Sequence, residues 1–475
     1  MILIFFVSVM NALSAQSAHL YLQTEPFSLD PRIGVDRRSQ TVLRTLFEGL
    51  TRINKQGNVE LALARSVDIS EDQLTLRFTL HDARWSNKKK ITASDFVRSW
   101  KSCIDPAFGS TAAHHFFDIK NAKKAYEQKC SLDDVAVSAI DDTHLKVTLE
   151  RPIPYFLELL SLPVFSPLSP SVDTKNFISN GAYLLEDHSS HSHILLKKNP
   201  EYRCKDEIHL DHIKFSIIEE SCTAFSLFQK KELDWYGDPC GIIPIEYITI
   251  LRNKLSCEHV GALYWLRCSS KRLSLKTRQK IASAINRDQV CRLLNGGEKP
   301  AYSILPEKLS QYSASFLPIN AKLPEKITLT HWAEPASTAI AELLQQQLQD
   351  KLHITIELNA LDWTSYLNAL NNNDFEIITA ACYQIVNHPF PSLEYLSTTD
   401  WVNKDFSAIM ANSQTPQNPE LLKEAEMITL QELPIIPLHY LAFKYMKAKG
   451  LQGEVLSPVG VMELKWLEWE KKSCL

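Results

Sequence analysis

Between Ile327 and Leu358 the hydrophobic period changes twice, and this restricts the fold more than any other feature of the chain. Ile327 and Leu329 alternate with polar neighbours, as in a half-buried strand. Ile340, Leu343, Leu344 and Leu348 then share one face of a helix, and Ile354, Ile356 and Leu358 return to alternation. Strand, helix, strand over this length predicts a crossover unit, because parallel strands cannot be joined by a tight hairpin. The predicted class is therefore α/β. Further alternating strands are predicted at Leu74, Leu76, Phe78 and Leu80, at Leu145, Val147 and Leu149, and at Ile213, Phe215 and Ile217. Between the first two a helix starts at Thr92, where Asp95 three residues on fits a capping box; Phe96, Val97 and Trp100 share its face.

The chain has 475 residues, more than one ordinary core holds, so two or three domains are expected. With 51 basic and 55 acidic residues spread along the chain there is no basic stripe for nucleic acid. Only 13 glycines argue against glycine-built phosphate loops. Neither GxSxG, HExxH, a P-loop nor a dinucleotide fingerprint occurs, so no enzyme activity and no cofactor are predicted. The paired carboxylates Asp133-Asp134 and Asp141-Asp142 read as caps and solvated turns. The 10 cysteines include no CxxC pair, which argues against zinc. Mostly buried thiols are expected, with a disulfide or two left open. The apolar run Ile2–Met10, followed by small residues from Ala12 to Ala18, reads as a cleaved signal peptide, although no Lys or Arg precedes it. A buried strand is the competing reading. No cysteine near that point suggests a lipid anchor.

Several stretches in order carry a family resemblance. They are Glu25-Pro-Phe-Ser-Leu-Asp-Pro31, Leu46-Phe-Glu-Gly-Leu50, Ala83-Arg-Trp-Ser86 with Thr92-Ala-Ser-Asp-Phe-Val97 and Trp100, Asn180-Gly-Ala-Tyr183, Asn199-Pro-Glu-Tyr202, Ala284-Ile-Asn-Arg-Asp288, Pro300-Ala-Tyr-Ser303 and Ile435-Ile-Pro-Leu438. Together they resemble the peptide and nickel class of bacterial extracellular solute-binding proteins. After Trp85-Ser86, where members usually carry Asp-Gly, this chain has Asn87-Lys88. The resemblance implies a two-lobed periplasmic binding-protein fold with an extra subdomain in the first lobe and a ligand cleft between the lobes. The implied division is a signal peptide at 1–18, a first lobe from 19–40, 161–260 and 445–475, the extra subdomain at 41–160, and a second lobe at 261–444. It also implies a monomer that delivers oligopeptides or modified peptides to the permease subunits of an ABC transporter in the inner membrane. In peptide binders of the family the ligand lies as an added strand, held through its main chain.

The resemblance places the site on Glu25, Pro26, Phe27, Tyr264, Trp265, Trp363, Tyr383, Gln384, Ile385 and Asn387. It also exposes a departure. Ile385 stands where the family places an aspartate for the peptide's ammonium group, and Thr379 and Leu370 stand where it places arginines. A buried ammonium without a counter-charge costs several kcal/mol. Either another carboxylate serves, Glu25 being the first choice, or the ligand is a capped, modified or cell-wall-derived peptide. For Tyr264 and Trp265 the competing reading is strand core; for Glu25 it is a surface charge beside a turn. A second function reading is a metal or metal-chelate (nickel-type) binder built on His188, His191 and His193, or on His114-His115. An adhesin or chaperone role is a third possibility that nothing in the sequence separates from ligand capture.

Overall fold

Two strands of thirteen residues, Ser256–Cys268 and Ile435–Lys447, organise the molecule. The computed structural model describes residues 16–170, 177–310, 312–412, 414–457, 460 and 462–470. The two long strands pair antiparallel over both ends, Ser256–His259 with Tyr445–Ala442 and Leu263–Arg267 with Tyr440–Ile435. Between His259 and Leu263 the register shifts, so extra residues bulge on strand Ser256–Cys268. The expected lobe boundaries, 260/261 and 444/445, fall within these two strands.

The six-strand path of the larger sheet runs Trp235–Gly237, Ile435–Lys447, Ser256–Cys268, Ile377–Tyr383, Lys326–Trp332, Thr355–Leu361. The crossover unit is present as predicted: strand Lys326–Trp332, helix Pro335–Leu352 and strand Thr355–Leu361, with the strands parallel. The helix buries Ile340, Ala341, Leu344 and Leu348 against Ile327, Leu329 and Ile356 to make the second-lobe core. In the first lobe, edge strand Ser17–Leu22 lies parallel to His212–Ile217. Ser17 and Ala18, the last residues of the expected leader, form its first rungs; residues 1–15 lie outside the described residues. Helix Arg37–Leu46 spans the expected 40/41 boundary, and its Val42, Leu43 and Leu46 pack in the first-lobe core.

The extra subdomain is a four-stranded sheet, Ala64–Ile69, Thr75–Leu80, His144–Thr148, Val137–Ala139, covered by helix Ala93–Ile104. The capping box forms at Thr92, whose N–H donates to Asp95 at 2.9 Å. The same carboxylate accepts the indole N–H of buried Trp85 at 3.2 Å, which ties the turn to the helix start. Lys88 adopts the left-handed conformation at φ 68°. Asp134 caps a short turn from Ser131 and Asp141 accepts the N–H groups of Thr143 and His144, so both carboxylate pairs serve turns.

Most of the stretches quoted above gather around two buried arginines, Arg52 and Arg287. Around Arg52 stand Glu48 at 3.3 Å, Glu60 at 2.7 Å and the Tyr202 hydroxyl at 3.0 Å. Asn180 donates to the Glu48 carbonyl at 2.8 Å, and the Gly181 N–H donates to the Leu46 carbonyl at 2.7 Å. A Cβ at 181 would collide with the main chain of Thr45 and Leu46, so this glycine is required by close approach. In the second lobe Arg287 donates to the Pro437 carbonyl at 2.8 Å and lies over Phe316 at 4.3 Å and Tyr302 at 5.3 Å.

Among the described residues nine cysteines are free; Cys103, Cys240 and Cys268 are buried, whereas Cys222 and Cys257 are exposed. No helix among the described residues is long and apolar enough to cross a membrane.

Candidate functional site

Strand Ile377–Tyr383 has a neighbour on one side over its whole length and on the other side only at its start. It pairs with Ser256–Cys268 from Cys268↔Ile377 to Ala262↔Tyr383. On the far side Lys326–Trp332 meets it only at Leu329↔Ile377 and Thr330↔Ile378. From Thr379 to Tyr383 that edge has no strand beside it among the described residues.

Hydrogen-bond parity says which groups face the open side. The Gln384 N–H donates to the Gly261 carbonyl at 2.7 Å. In an antiparallel ladder, bonded and non-bonded pairs alternate, so Cys382 and Ala380 also turn their main-chain groups inward. Ala381 and Tyr383 turn theirs outward, as does Thr379, whose carbonyl accepts the Tyr366 hydroxyl at 2.7 Å. An edge of this kind is a template for one more strand.

Aromatic groups stand beside it. Asp362 caps helix Trp363–Asn372 by accepting the N–H groups of Thr364 and Ser365, which sets Trp363 at the helix start. Trp363 stacks on Tyr366 at 5.6 Å, contacts Trp332 at 4.8 Å and keeps 51% of its surface exposed. At the other end Tyr383 is 39% exposed, and the first-lobe Arg37 guanidinium lies 4.5 Å over its ring. Arg37 is aimed by Asp238 at 2.8 Å, which also accepts the Lys444 N–H at 3.0 Å, so both lobes meet at the end of the open edge.

The subdomain closes on the loop that follows. Arg151 reaches Glu394 at 2.8 Å and Asp118 at 3.5 Å, and Tyr155 packs on His388 at 4.7 Å. Burial pushes the Asp118 carboxyl up to about 6 in spite of Arg151. Burial also lowers His388, to about 4, so it is neutral at pH 7.

The structure brings Tyr383, Gln384, Ile385 and Asn387 together on one strand end and loop. Gln384 is buried and donates to Ser392 at 2.9 Å; Ile385 packs half-buried against a core that joins subdomain residues to Leu263, Val386 and Phe390; Asn387 is exposed. Tyr264 lies under helix Pro335–Leu352, its hydroxyl 3.0 Å from Ser337 and its ring stacked on His439. Burial pushes the Tyr264 hydroxyl up and His439 down to about 4. Trp265 is only 4% exposed and stacks on Tyr395 within the core; it lines no open wall.

Glu25, Pro26 and Phe27 belong to the first lobe, with Pro26 buried and Phe27 79% exposed. Glu25 already has its partners. It accepts His188 at 2.7 Å, Ser190 at 3.0 Å and the His191 N–H at 2.8 Å. Partial burial works against its charge, but these bonds, the His191 N–H first, outweigh it and hold the carboxyl below its ordinary value. Glu25 is thus committed to a loop rather than free to receive an ammonium group. His193 turns to Asp187 at 2.9 Å, and the His114 and His115 rings touch at a tilt with centroids 4.0 Å apart. No group of three or more His, Cys, Asp or Glu among the described residues is arranged to hold a metal.

Residues 58–404 match the family described as bacterial extracellular solute-binding proteins, family 5, middle. The chain belongs to that family. Within family 5 it is 30% identical to the oligopeptide-binding protein OppA of Bacillus subtilis, over 93% of this chain and 90% of that one. It is 36% identical to a dipeptide-binding protein of Lactococcus lactis, over 75% and 74%. Solved relatives share the two-lobed fold. The murein tripeptide-binding protein of Escherichia coli has a TM-score of 0.83 at 22% identity, covering 96% of this chain and 99% of that one. The OppA of Listeria monocytogenes bound to peptide has a TM-score of 0.80 at 22% identity, covering 96% and 100%.

Proposed function

We propose that this protein is the substrate-binding component of an ABC importer, capturing oligopeptides or modified peptides between its lobes and passing them to membrane permease subunits. The observation that carries this reading is the open edge Thr379–Tyr383, placed where both lobes and the subdomain meet. Outward main-chain groups of Ala381 and Tyr383 match a peptide main chain whatever its side chains are, so one edge serves many sequences. Trp363, backed by the buried Tyr366, supplies a ring surface that buries ligand side chains at low entropic cost. The protein acts as a monomer that performs no chemistry, working in the periplasm after export through a cleaved leader.

The test is retention. Purified protein is offered a mixture of tri-, tetra- and pentapeptides, and what stays bound is released and weighed by mass spectrometry. Many peptides of unrelated sequence are expected, with unchanged masses. Retention of no peptide, or release of cleaved fragments, would overturn the reading.

A further inference from the structure

Residues 269–434 are joined to the rest of the chain only through the paired strands Ser256–Cys268 and Ile435–Lys447. A turn about those strands can therefore part this segment from the subdomain. What holds the two together is non-covalent. The Arg151 guanidinium reaches Glu394 at 2.8 Å and lies 4.5 Å over the Phe390 ring. Tyr155 packs on His388 at 4.7 Å, and Gln417 donates to Gln73 at 2.5 Å. Beneath them one apolar cluster holds Ile153, Tyr155 and Phe156 of the subdomain with Val386, Phe390 and Leu393. Arg151 has a second carboxylate within reach. Asp118 stands 3.5 Å from the same nitrogen and belongs to the body that carries Arg151: the Glu150 N–H donates to the Asp118 carbonyl at 2.9 Å, and Ile119 bridges Leu149. Glu394 is half exposed, and among the described residues no other Lys, Arg or His pairs with it.

We propose that Arg151 is a clasp between the subdomain and the second lobe: it binds Glu394 when the cleft is shut and Asp118 alone when the cleft opens, and so sets how long a bound peptide stays. This assignment rests on the peptide-binding reading above. Release of Glu394 strands no cation, because Asp118 remains beside Arg151 in either state. Opening therefore breaks one partly exposed ion pair and one ring contact, not a buried charge. The apolar contact favours closure from any direction of approach, whereas the Arg151–Glu394 pair is directional and selects one closed arrangement. Strand Ile377–Tyr383 runs into the loop that the clasp holds, so the pair guards the end of the open edge.

The experiment offers trialanine, tetra-alanine and penta-alanine to the full-length protein and follows association and dissociation separately. Glu394→Arg sets two cations against each other across the contact and leaves Arg151 to Asp118. It is expected to raise the dissociation rate roughly tenfold with little change in association. In X-ray scattering of the peptide-free protein it is expected to enlarge the radius of gyration. Arg151→Glu combined with Glu394→Arg restores an attractive pair and is expected to bring both readings back towards wild type. Glu394→Gln removes the pair without repulsion; it is expected to raise dissociation roughly threefold and serves should the arginine variant misfold. Unchanged dissociation and scattering in Glu394→Arg, or a reversed pair no better than the single variant, overturns the clasp while peptide capture itself stands. Binding of none of the three peptides by wild type counts against the peptide reading, and the scattering comparison then still decides whether Arg151 holds the cleft shut.

Discussion

Replacing Arg52 by methionine destabilises the first lobe by about 3–5 kcal/mol. Arg52 is 8% exposed and Glu48 2% exposed, so the variant leaves a carboxylate buried with its principal counter-charge removed. Arg203, at 3.7 Å from the other Glu48 oxygen, is too distant and too exposed to replace it. The loss extends beyond one pair. Tyr202 donates its hydroxyl to the same carboxylate, and the Arg52 guanidinium lies 5.1 Å over the Trp466 ring, so helix end, strand, loop and C-terminal segment all lose a common partner. Urea unfolding followed by tryptophan fluorescence measures the change. The double variant Arg52→Met with Glu48→Gln is expected to recover more than half of the loss, because the uncompensated charge is gone. A single-variant loss under about 1 kcal/mol, the size of an exposed pair, would show that the hub is solvated.

The second large effect is on binding and depends on ladder parity. Ala381→Pro removes an N–H that faces away from the ladder and sets a ring against the edge. Peptide affinity is expected to fall roughly 100-fold, about 2.7 kcal/mol, as main-chain bonds to the ligand are lost. Stability is expected to change by less than about 1 kcal/mol, because proline is tolerated where the strand N–H is unpaired. The neighbouring Ala380→Pro breaks an inward bond opposite Trp265 and is expected to cost about 3 kcal/mol of stability. Calorimetric titration and thermal melting of both variants separate the two effects. Equal binding by wild type and Ala381→Pro would mean that the ligand does not use this edge.

Local pattern explains why so much of the fold was readable in advance. Leu74 to Leu80, Leu145 to Leu149 and Ile213 to Ile217 each have one wet face and one buried face, and they form strands Thr75–Leu80, His144–Thr148 and His212–Ile217. The capping box at Thr92 and the crossover unit at Ile327–Leu358 are equally local. The site was less legible because its geometry is made by distant partners. Trp265 lies in a strand covered on both sides, where alternation says nothing about burial. Glu25 is occupied by a histidine 163 positions away. The open edge at Ala381 exists only because Lys326–Trp332 stops pairing early, which no residue type announces. Motif resemblance pointed to the strand and loop at Ala380–Pro389, and it brought Glu25 forward as the substitute carboxylate, but a residue's chemistry does not reveal that its bonds are already made.

Hydrogen–deuterium exchange at single-residue resolution, with and without a retained peptide, tests the added-strand claim most directly. The account predicts that the Ala381 and Tyr383 amides exchange readily in the free protein and become strongly protected when peptide is bound. Ala380 and Cys382, already bonded to the neighbouring strand, are slow in both states. Unchanged exchange at Ala381 and Tyr383 with peptide bound would contradict it.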